Sequence, residues 1–517
     1  MNLTQFFDHW AVRENPFRGE EARNDAVFQR LTFERDGAVA EPRRPIELGS
    51  AHSDFEKILG ELTRPSTSIV FGEKGSGKTA IRLQIADRVA AHNAKHPASR
   101  IYIIAYDDLN PYITELTERY RSSKSELAPF KKARLVDHMD VILTIATSRL
   151  LSGLFREGAD AESFVLPDEY VKTVRRFPYA LRRDLLVLQA LYDNADVGGE
   201  RAAKMRRLLR LRPSGARLLS QSLVVAGWIP AVAAGVFAAV MSNALLAYLA
   251  IALAAAYLLI LGKRFIYDAI VLRRLAKRVR HEMRMVPRSI ESLSACLGQL
   301  DTDQRDHRHL PELADADEPR YHLLDTLRRT LAKLGYTGVI VLIDRVDEPT
   351  AVNGDADKMR ELMWPLFNNK FLQQEGFGVK MLLPIELRHA LFKESSQFFQ
   401  EARLDKQSLV ERLTWTGPML YDLCNARLSA CRDPEAEPIN LIDLFAEDVT
   451  RSDLVDALDQ MHQPRDAFKM IYRVLLEHCS SVTADEGAWR IPKLILDQVR
   501  RVESDRVQSF YRGIRPA

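Results

Sequence analysis

The sequence contains few cysteines, and no two of them form a CxxC pair. The four cysteines are spread over 517 residues, at Cys296, Cys424, Cys431 and Cys479. This spacing provides neither the paired ligands of a structural zinc site nor the dense framework of a disulfide-stabilised secreted domain. Sparse, unpaired cysteines are typical of proteins in a reducing compartment.

The N-terminus lacks the apolar run of a secretory signal peptide. Asp8 and Arg13 interrupt the segment in which that run would lie. We therefore expect the bulk of the protein to remain in the cytoplasm.

Charge is missing altogether from one long segment. From Leu218 to Gly262 there are 45 residues without Asp, Glu, Lys, Arg or His. A bilayer core needs about 20 helical residues per crossing, so this length fits two membrane spans and a tight turn. Ser242-Asn243 is the predicted turn, with spans at about 218–241 and 244–262.

The residues on either side of this run are strongly basic. Residues 201–284 contain fifteen Lys and Arg but only two acidic residues, Asp268 and Glu282. Because basic flanks stay on the cytoplasmic side, the hairpin is predicted to cross the inner (cytoplasmic) membrane twice, with membrane lipid as its partner. Two alternatives stay open: an alanine-rich hairpin buried in a soluble oligomer, and a nucleic-acid-binding patch, which is not favoured.

A glycine-rich loop follows a short predicted strand near the start of the chain. Residues 67–71 (TSIVF) are β-prone, residues 72–79 read GEKGSGKT, and Ile81, Ile85 and Val89 then recur at helical spacing. The GxxxxGKT spacing between a strand and a helix is that of a phosphate-binding P-loop. Its glycines let successive N–H groups point at a phosphate, and the dipole of the following helix favours the same negative charge.

This loop supplies the predicted nucleotide-binding residues. Lys78 is expected to reach the β- and γ-phosphates, and the Thr79 hydroxyl is expected to bind Mg²⁺. We expect ATP rather than GTP, because no guanine-reading NKxD motif occurs. The predicted cofactor-binding residues are Gly72, Gly75, Ser76, Gly77, Lys78 and Thr79.

An acidic motif much further along the chain is expected to complete the site. Residues 338–343 (GVIVLI) form an apolar run typical of a strand buried on both faces of a parallel sheet, and Asp344 follows it. Asp344 is predicted to hold the Mg²⁺ together with Thr79. Asp347 or Glu348 is predicted to polarise the attacking water, and Glu348 is the preferred candidate.

Two further apolar runs, residues 100–106 (RIYIIAY) and 380–385 (KMLLPI), read as buried strands. Strands that alternate with helices predict a doubly wound parallel sheet with its ligand site at the carboxyl ends of the strands. Glu386 or Arg388, just after the second run, is therefore a candidate sensor of the γ-phosphate.

Arginines in the C-terminal part are further candidates. Arg465, at the start of a predicted helix, is expected to reach back to the phosphates as a catalytic lid residue; a local cap or ion pair is the alternative. Arg403, Arg412 and Arg427 are candidates for an arginine supplied to a neighbouring subunit of a homo-oligomer.

Three features together resemble a known family: FGEKGSGKT (71–79), VIVLIDRVDE (339–348) and the apolar hairpin between them. They resemble the KAP-type P-loop NTPases, within the AAA+ and STAND ATPases, over about residues 50–480. The resemblance implies that Lys78, Thr79 and Asp344 bind the nucleotide and Mg²⁺. KAP proteins tend to carry D-D-L-D-R after the strand, however, and D-R-V-D-E looks closer to the D-G-x-D-E of NACHT-type STAND ATPases. The opening WAVRENPF is similar to the start of secretion-associated ATPases.

The predicted fold class is α/β: a P-loop NTPase parallel sheet with helical inserts, a two-helix transmembrane hairpin and a C-terminal helical lid region. Five segments are expected. They are an N-terminal extension (1–50), the first half of the ATPase core with a helical insert (51–200), the basic flanks and hairpin (201–290), the second half of the core with the acidic motif (291–400), and the C-terminal helical region (401–517).

The predicted function is that of a membrane-anchored, Mg-dependent ATPase acting as a conformational switch or remodeller. The resemblance implies a role in antiviral defence against phage, with an effector protein encoded nearby. The alternatives are a secretion- or transport-associated motor ATPase, a nucleic-acid-dependent ATPase, and an ATP sensor that does not hydrolyse its ligand. Two uncharged spans argue against a self-contained transporter.

Overall fold

The computed structural model describes residues 1–18, 22–33, 51–121, 125–158, 164–212, 215–241, 243–305, 313, 316–483 and 487–511. Its centre is a five-stranded sheet, with every pair of neighbouring strands parallel, in the order β2-β3-β4-β1-β5. The strands are β1 (Ser68–Gly72), β2 (Arg100–Tyr106), β3 (Tyr336–Ile343), β4 (Phe377–Pro384) and β5 (Ser408–Val410). The α/β class, the parallel sheet and the four predicted strands are thus confirmed; β5 was not predicted.

The alignment of the strands explains how distant motifs come together. Gly72, at the end of β1, pairs with Pro384, and Ile343, at the end of β3, pairs with Met381 on the same strand β4. The strands that precede the glycine-rich loop and Asp344 are therefore separated by β4 alone. Since neighbouring strands lie about 4.8 Å apart, these two strands lie about 10 Å from each other.

Helices surround the sheet and fill the long connection between β2 and β3. Those preceding the apolar hairpin are α1 (Leu3–His9), α2 (Ala26–Phe33), α3 (Phe55–Leu59), α4 (Lys78–Lys95), α5 (Asn110–Arg119), α6 (Leu135–Phe155), α7 (Tyr170–Arg175), α8 (Tyr179–Tyr192) and α9 (Glu200–Leu208). The hairpin comprises α10 (Gly215–Ala226), α11 (Ile229–Met241) and α12 (Ala244–Gly262), followed by a π-helical turn (Lys263–Tyr267) and α13 (Asp268–Glu282).

The remaining helices are α14 (Ile290–Leu297), α15 (Thr302–Arg305), α16 (Glu318–Lys333), α17 (Ala356–Met363), α18 (Asn369–Leu372), α19 (Ile385–Leu391), α20 (Ser396–Ala402), α21 (Gly417–Ala430), α22 (Arg451–Asp459), α23 (Pro464–Ser481) and α24 (Lys493–Tyr511). Short 3₁₀ turns occur at Phe130–Lys132, Trp364–Leu366, Leu404–Lys406 and Leu441–Leu444.

Apolar side chains form a core on each face of the sheet. On one face α3 and α4 pack against the strands, and the predicted apolar stripe of α4 (Ile81, Ile85, Val89) is buried there. The inserted helices, α6 and α8 among them, cover the other face. Helices on both faces explain why the central strands are mostly apolar, as the sequence predicted.

A third cluster joins the two ends of the chain. Phe6 and Phe17 from the N-terminal segment pack with Leu420 of α21 and Ile471 of α23. The described parts of residues 1–33 therefore belong structurally to the C-terminal helices, because their aromatic residues complete that core.

The hairpin leaves its apolar surface uncovered. Two helical stretches, Leu218–Met241 and Ala244–Glu282, are long and apolar enough to cross a membrane, and almost none of their apolar windows is buried. Asn243 lies directly before the second stretch and accepts a hydrogen bond from the Leu245 amide at 2.9 Å, as expected for a turn residue. Its predicted turn partner, Ser242, lies outside the described residues.

The far end of α13 fixes the hairpin to the helices beside the sheet. Ala276 and Val279 are buried, and Arg280 forms an ion pair with Glu115 of α5. Just beyond α13, Arg284 donates from Nε to Asp137 of α6 at 2.9 Å. The second apolar stretch is thus continuous with α13, which contacts α5, and the residues just after α13 contact α6.

Candidate functional site

The glycine-rich loop turns sharply between β1 and α4. Gly75 and Gly77 have φ of 97° and 92°, in the left-handed region that favours glycine. A Cβ on Gly72 would lie 2.5 Å from the Ser76 hydroxyl oxygen, so this position has no room for a side chain. These three glycines allow the loop to curl around the space in front of α4.

Positive charge is concentrated inside this curl. Lys78 lies across the loop, and its ammonium donates to the carbonyl oxygens of Gly72 at 2.8 Å and Glu73 at 2.9 Å. Burial lowers the pKa of Lys78, and the nearby carboxylates of Asp347 and Asp344 oppose that shift. Because α4 begins at Lys78, the N–H groups of its first turn have no partner within the helix and favour an anion.

The acidic motif meets the loop at the end of β3. The Thr79 hydroxyl donates to Asp344 Oδ2 at 3.1 Å, although the two residues are 265 positions apart. Asp344 is buried, which raises its pKa, whereas Arg82 and the Thr79 hydrogen bond lower it. The structure therefore brings together the two residues that the sequence predicted as metal ligands.

Arg82 is part of the site, although the sequence analysis did not identify it. It lies on α4 one turn after Lys78, and its Nη1 donates to Asp107 Oδ2 at 2.6 Å. Its Nε lies 3.3 Å from Asp344 Oδ2. Arg23 of the N-terminal segment also pairs with Asp107. The only sequence signal for Arg82 was its i+4 spacing from Lys78, which places both side chains on one face of α4.

A cavity of about 660 Å³ opens in front of the loop and Asp344. One end is polar and includes Lys78, Thr79, Asp344, Asp347 and Glu348. The other end is formed by the two ends of the chain and contains the paired charges of Asp25 and Arg427 among five apolar side chains: Ala22, Phe28, Leu31, Leu423 and Phe468. Drug-sized ligands bind in cavities of about 300–1,000 Å³ that combine apolar walls with a small number of polar groups.

The two candidate catalytic carboxylates differ in their surroundings. Arg345 has a φ of 62° and turns the chain after β3, so that both Asp347 and Glu348 line the cavity. Glu348 forms an ion pair with Arg345, and its side chain is 46% exposed. Asp347 is the carboxylate with the largest electrostatic effect on Lys78. Both remain candidates for the predicted catalytic role.

Arg465 reaches the loop from the C-terminal helices. It is in the first turn of α23 and lines the cavity, and a Cβ on Gly75 would lie 3.2 Å from the Cβ of Arg465. The adjacent Gln463 donates a hydrogen bond to Glu73. The helical region after the sheet therefore contacts the loop directly, where the sequence placed a lid residue.

Two of the three arginines proposed for a neighbouring subunit have partners within the chain. Arg427 is buried; its Nη1 lies 2.7 Å from Asp25 Oδ2, and its Nε donates to the Pro16 carbonyl oxygen at 2.6 Å. Arg412 pairs with Glu73 of the loop at 2.5 Å. Arg427 thus holds the N-terminal segment on α21.

The candidate sensor Arg388 is also engaged by a neighbour, since its Nη2 donates to Glu411 Oε2 at 2.8 Å. Glu386 follows the end of β4, close enough to influence the Lys78 ammonium electrostatically. Of the two candidate sensors, only Glu386 has an electrostatic interaction with the loop lysine.

The oxygen atoms at the polar end suit a hard cation held jointly with a phosphate. No group of three or more His, Cys, Asp or Glu side chains that could bind a metal occurs among the described residues. The Thr79 hydroxyl and the Asp344 carboxylate are the ligand types that Mg²⁺ accepts, with substrate phosphates and water completing its coordination. The buried Ser76 hydroxyl lacks a hydrogen-bond partner, as expected in a loop that accommodates an oxyanion.

No family model matches this chain, and neither the curated proteins nor the solved structures contain a match to it.

Proposed function

We propose that this protein is a P-loop NTPase that binds ATP with Mg²⁺ and hydrolyses it while anchored in a membrane. The observation that carries the proposal is the contact between Thr79 and Asp344 at the polar end of the cavity. A hydroxyl from a GKT loop and a carboxylate from a neighbouring strand are the pair that P-loop NTPases use to hold Mg²⁺.

In this proposal the loop binds the phosphates. Lys78 and the free N–H groups at the start of α4 neutralise the phosphate charge. Bound Mg²⁺, held by Thr79 and Asp344, would withdraw charge from the β- and γ-phosphates. Asp347 or Glu348 orients a water molecule and accepts its proton while the water oxygen attacks the γ-phosphorus. The bond between that phosphorus and the bridging oxygen of ADP then breaks. Arg465, in the first turn of α23, stabilises the negative charge of the phosphates.

The apolar end of the cavity suits a purine base. Phe28 and Leu31 of α2 line the same space as Phe468 of α23, against whose ring the guanidinium of Arg427, paired with Asp25, lies 4.5 Å from the centroid. An amphipathic ligand with an aromatic base and a phosphate tail fits this polarity, whereas inorganic phosphate alone would not use the apolar end.

The proposed role is that of a KAP-type switch in the membrane that acts in phage defence. It rests on the resemblance of the motifs and on the helices that connect the candidate site to the hairpin. At the N-terminus of α5, Asn110 Oδ1 accepts a hydrogen bond from the Thr350 amide, in the loop after Asp344, at 3.1 Å. In the middle of α5, Glu115 forms an ion pair with Arg280 of α13. A change in the loop after β3 would therefore reach the hairpin through one helix, which favours the switch over a motor or a nucleic-acid-dependent ATPase.

The decisive variant is Lys78→Ala, measured by ATP binding and by phosphate release. We expect ATP affinity to fall at least about tenfold and turnover to disappear, because the phosphates lose their main cation. Lys95→Ala, an exposed lysine at the other end of α4, is the matched control and should behave like the wild type. Unchanged activity of Lys78→Ala would refute the proposal.

The two carboxylates are compared in Asp347→Asn and Glu348→Gln. The variant of the catalytic base should still bind ATP but lose about 10²–10⁴-fold in turnover, whereas the other should retain most of it. If both variants bind and hydrolyse ATP normally, neither carboxylate is the base. If the wild-type protein binds ATP without turnover, it is an ATP sensor.

A further inference from the structure

The basic residues around the hairpin fall into two groups. Some are used within the fold: Arg206 is buried and binds Asp301 at 2.8 Å, Arg201 lies 3.1 Å from Asp193, and Arg284 binds Asp137. These charges hold the helices next to the hairpin in position and are not available to a ligand.

A second group stands at the two ends of the apolar hairpin. Arg207, Arg210 and Arg212 lie just before the first span, and Lys263 directly follows the second. All four side chains are exposed, and no acidic side chain in the described part of the chain pairs with them. We call these four residues the root cluster.

The two ends of the hairpin lie side by side, since the Tyr257 hydroxyl of the second span donates to the Val224 carbonyl oxygen of the first at 2.9 Å. Arg206 donates to the carbonyl oxygen of Arg212 at 3.2 Å, which fixes the chain where it enters the first span. The 19 residues of α12 rise about 28 Å, close to the thickness of a bilayer core, so Lys263 falls at the depth of the headgroups.

The residues next to Lys263 also suit a lipid interface. Phe265, Ile266 and Tyr267 are each more than 60% exposed, on the turn that joins the second span to α13. Amphipathic aromatic rings and aliphatic side chains beside basic ones are typical of the membrane–water boundary. A nucleic-acid surface would not require exposed aliphatic residues on a helix continuous with an apolar span.

We propose that the root cluster binds the phosphate groups of anionic phospholipids in the leaflet that faces the bulk of the protein. The inference rests on the membrane placement proposed above. Each basic side chain near an anionic surface contributes about fivefold in affinity, so four together produce a strong preference for anionic over zwitterionic lipid.

The test uses the full-length protein in a neutral detergent and counts retained lipids by native mass spectrometry. Phosphatidylglycerol and phosphatidylcholine are added separately to the wild type and to the variant Arg207→Gln, Arg210→Gln, Arg212→Gln, Lys263→Gln. A control removes four exposed charges far from the hairpin: Lys393→Gln, Lys469→Gln, Arg490→Gln and Arg501→Gln.

We expect the wild type and the control to retain phosphatidylglycerol in preference to phosphatidylcholine, and the root-cluster variant to lose this preference by at least about tenfold. Equal retention of the two lipids by the wild type, or an unchanged preference in the root-cluster variant, overturns the inference. Displacement by glycerol phosphate at the same concentration would show a site for free phosphate. Tighter binding of a short DNA duplex, lost in the root-cluster variant, would show a nucleic-acid surface.

Two further measurements distinguish these outcomes from misfolding of the variant and from a failure of the protein to insert into the membrane. Arg207→Lys, Arg210→Lys and Arg212→Lys together preserve the charge and should preserve the lipid preference if the protein folds. Carbonate extraction of native membranes shows whether the wild type is inserted. A protein that resists extraction but lacks a preference for anionic lipid refutes only this inference, whereas a protein released by carbonate refutes the membrane placement itself.

Discussion

Arg82 is the side chain that connects the two acidic strand ends of the candidate site. Its guanidinium bridges Asp107 after β2 and Asp344 after β3, and all three side chains are largely buried. Burial raises the pKa of Asp344, and the charge of Arg82 opposes that shift. Arg82 is therefore a positioning residue for Asp344.

We expect Arg82→Met to destabilise the fold by about 3 kcal/mol and to weaken Mg²⁺-dependent ATP binding, since Asp344 would bind a proton more readily. Urea unfolding and Mg²⁺ titrations measure the two effects. Arg88→Met is the control on the same helix, because Arg88 pairs with Glu56 at the surface, and it should cost less than about 1 kcal/mol. Equal, small effects of the two variants would contradict this role.

Lys380 is a buried lysine that forms no ion pair with the described residues. Its side chain lies within β4, fully buried, and its ammonium has no hydrogen-bond partner. Burial lowers the pKa of Lys380 to about 7. An unfolded lysine titrates near 10.4, so between about pH 7 and pH 10 the unfolded chain binds more protons than the folded one. Stability should therefore rise with pH across that window.

The variant Lys380→Met tests this expectation. It should raise the free energy of unfolding by about 3–5 kcal/mol near pH 6, where the folded protein must bury the charge, and by much less near pH 10. Urea denaturation at several pH values measures the difference. Lys95→Met, at an exposed lysine, should change stability by less than about 0.5 kcal/mol at every pH. If Lys380→Met raised the free energy of unfolding by the same amount at every pH, Lys380 would not be a buried titrating group.

At the scale of whole elements, α2 forms one wall of the cavity. Val27 packs into the C-terminal core while Phe28 and Leu31 face the cavity, and the ion pair between Asp25 and Arg427 fixes the start of the helix. The N-terminal segment therefore takes part in the site and is more than an extension.

Phe28→Ser should lower ATP affinity about tenfold through lost apolar contact with the base, and it should leave inhibition by tripolyphosphate unchanged. Competition binding with ATP and with tripolyphosphate measures the two affinities separately. Ala26→Ser, at an exposed position of the same helix, should bind both ligands like the wild type. If Phe28→Ser weakens both ligands equally, α2 contributes to folding and not to recognition of the base.

On the scale of the whole molecule, the hairpin is the part that stands outside the packed body. Deleting residues 218–262 should move the protein from the membrane fraction to the soluble fraction, because that segment contains the uncovered apolar surface. Fractionation with carbonate extraction measures the distribution. Lys78→Ala should stay in the membrane fraction. Membrane association that survives the deletion would disprove the predicted anchor.

The sequence by itself was sufficient for features whose signal lies within a short window. Continuous apolar runs identified the buried strands, the spacing of GEKGSGKT identified the loop, and 45 uncharged residues identified the hairpin. Each follows from local geometry: a strand buried on both faces must be apolar, a curled loop needs glycine, and a bilayer excludes charge.

Only the tertiary structure decided which distant side chains meet. The bridge from Arg82 to Asp107, the pairing of Arg427 with Asp25 and the isolation of Lys380 all depend on how strands and helices pack. The positions of charged residues in the sequence do not indicate which residues they pair with, because an arginine can pair with any carboxylate that the fold brings close to it. The sequence could therefore predict the loop and its acidic partner, whereas the cations that position them and the walls of the cavity required the packed chain.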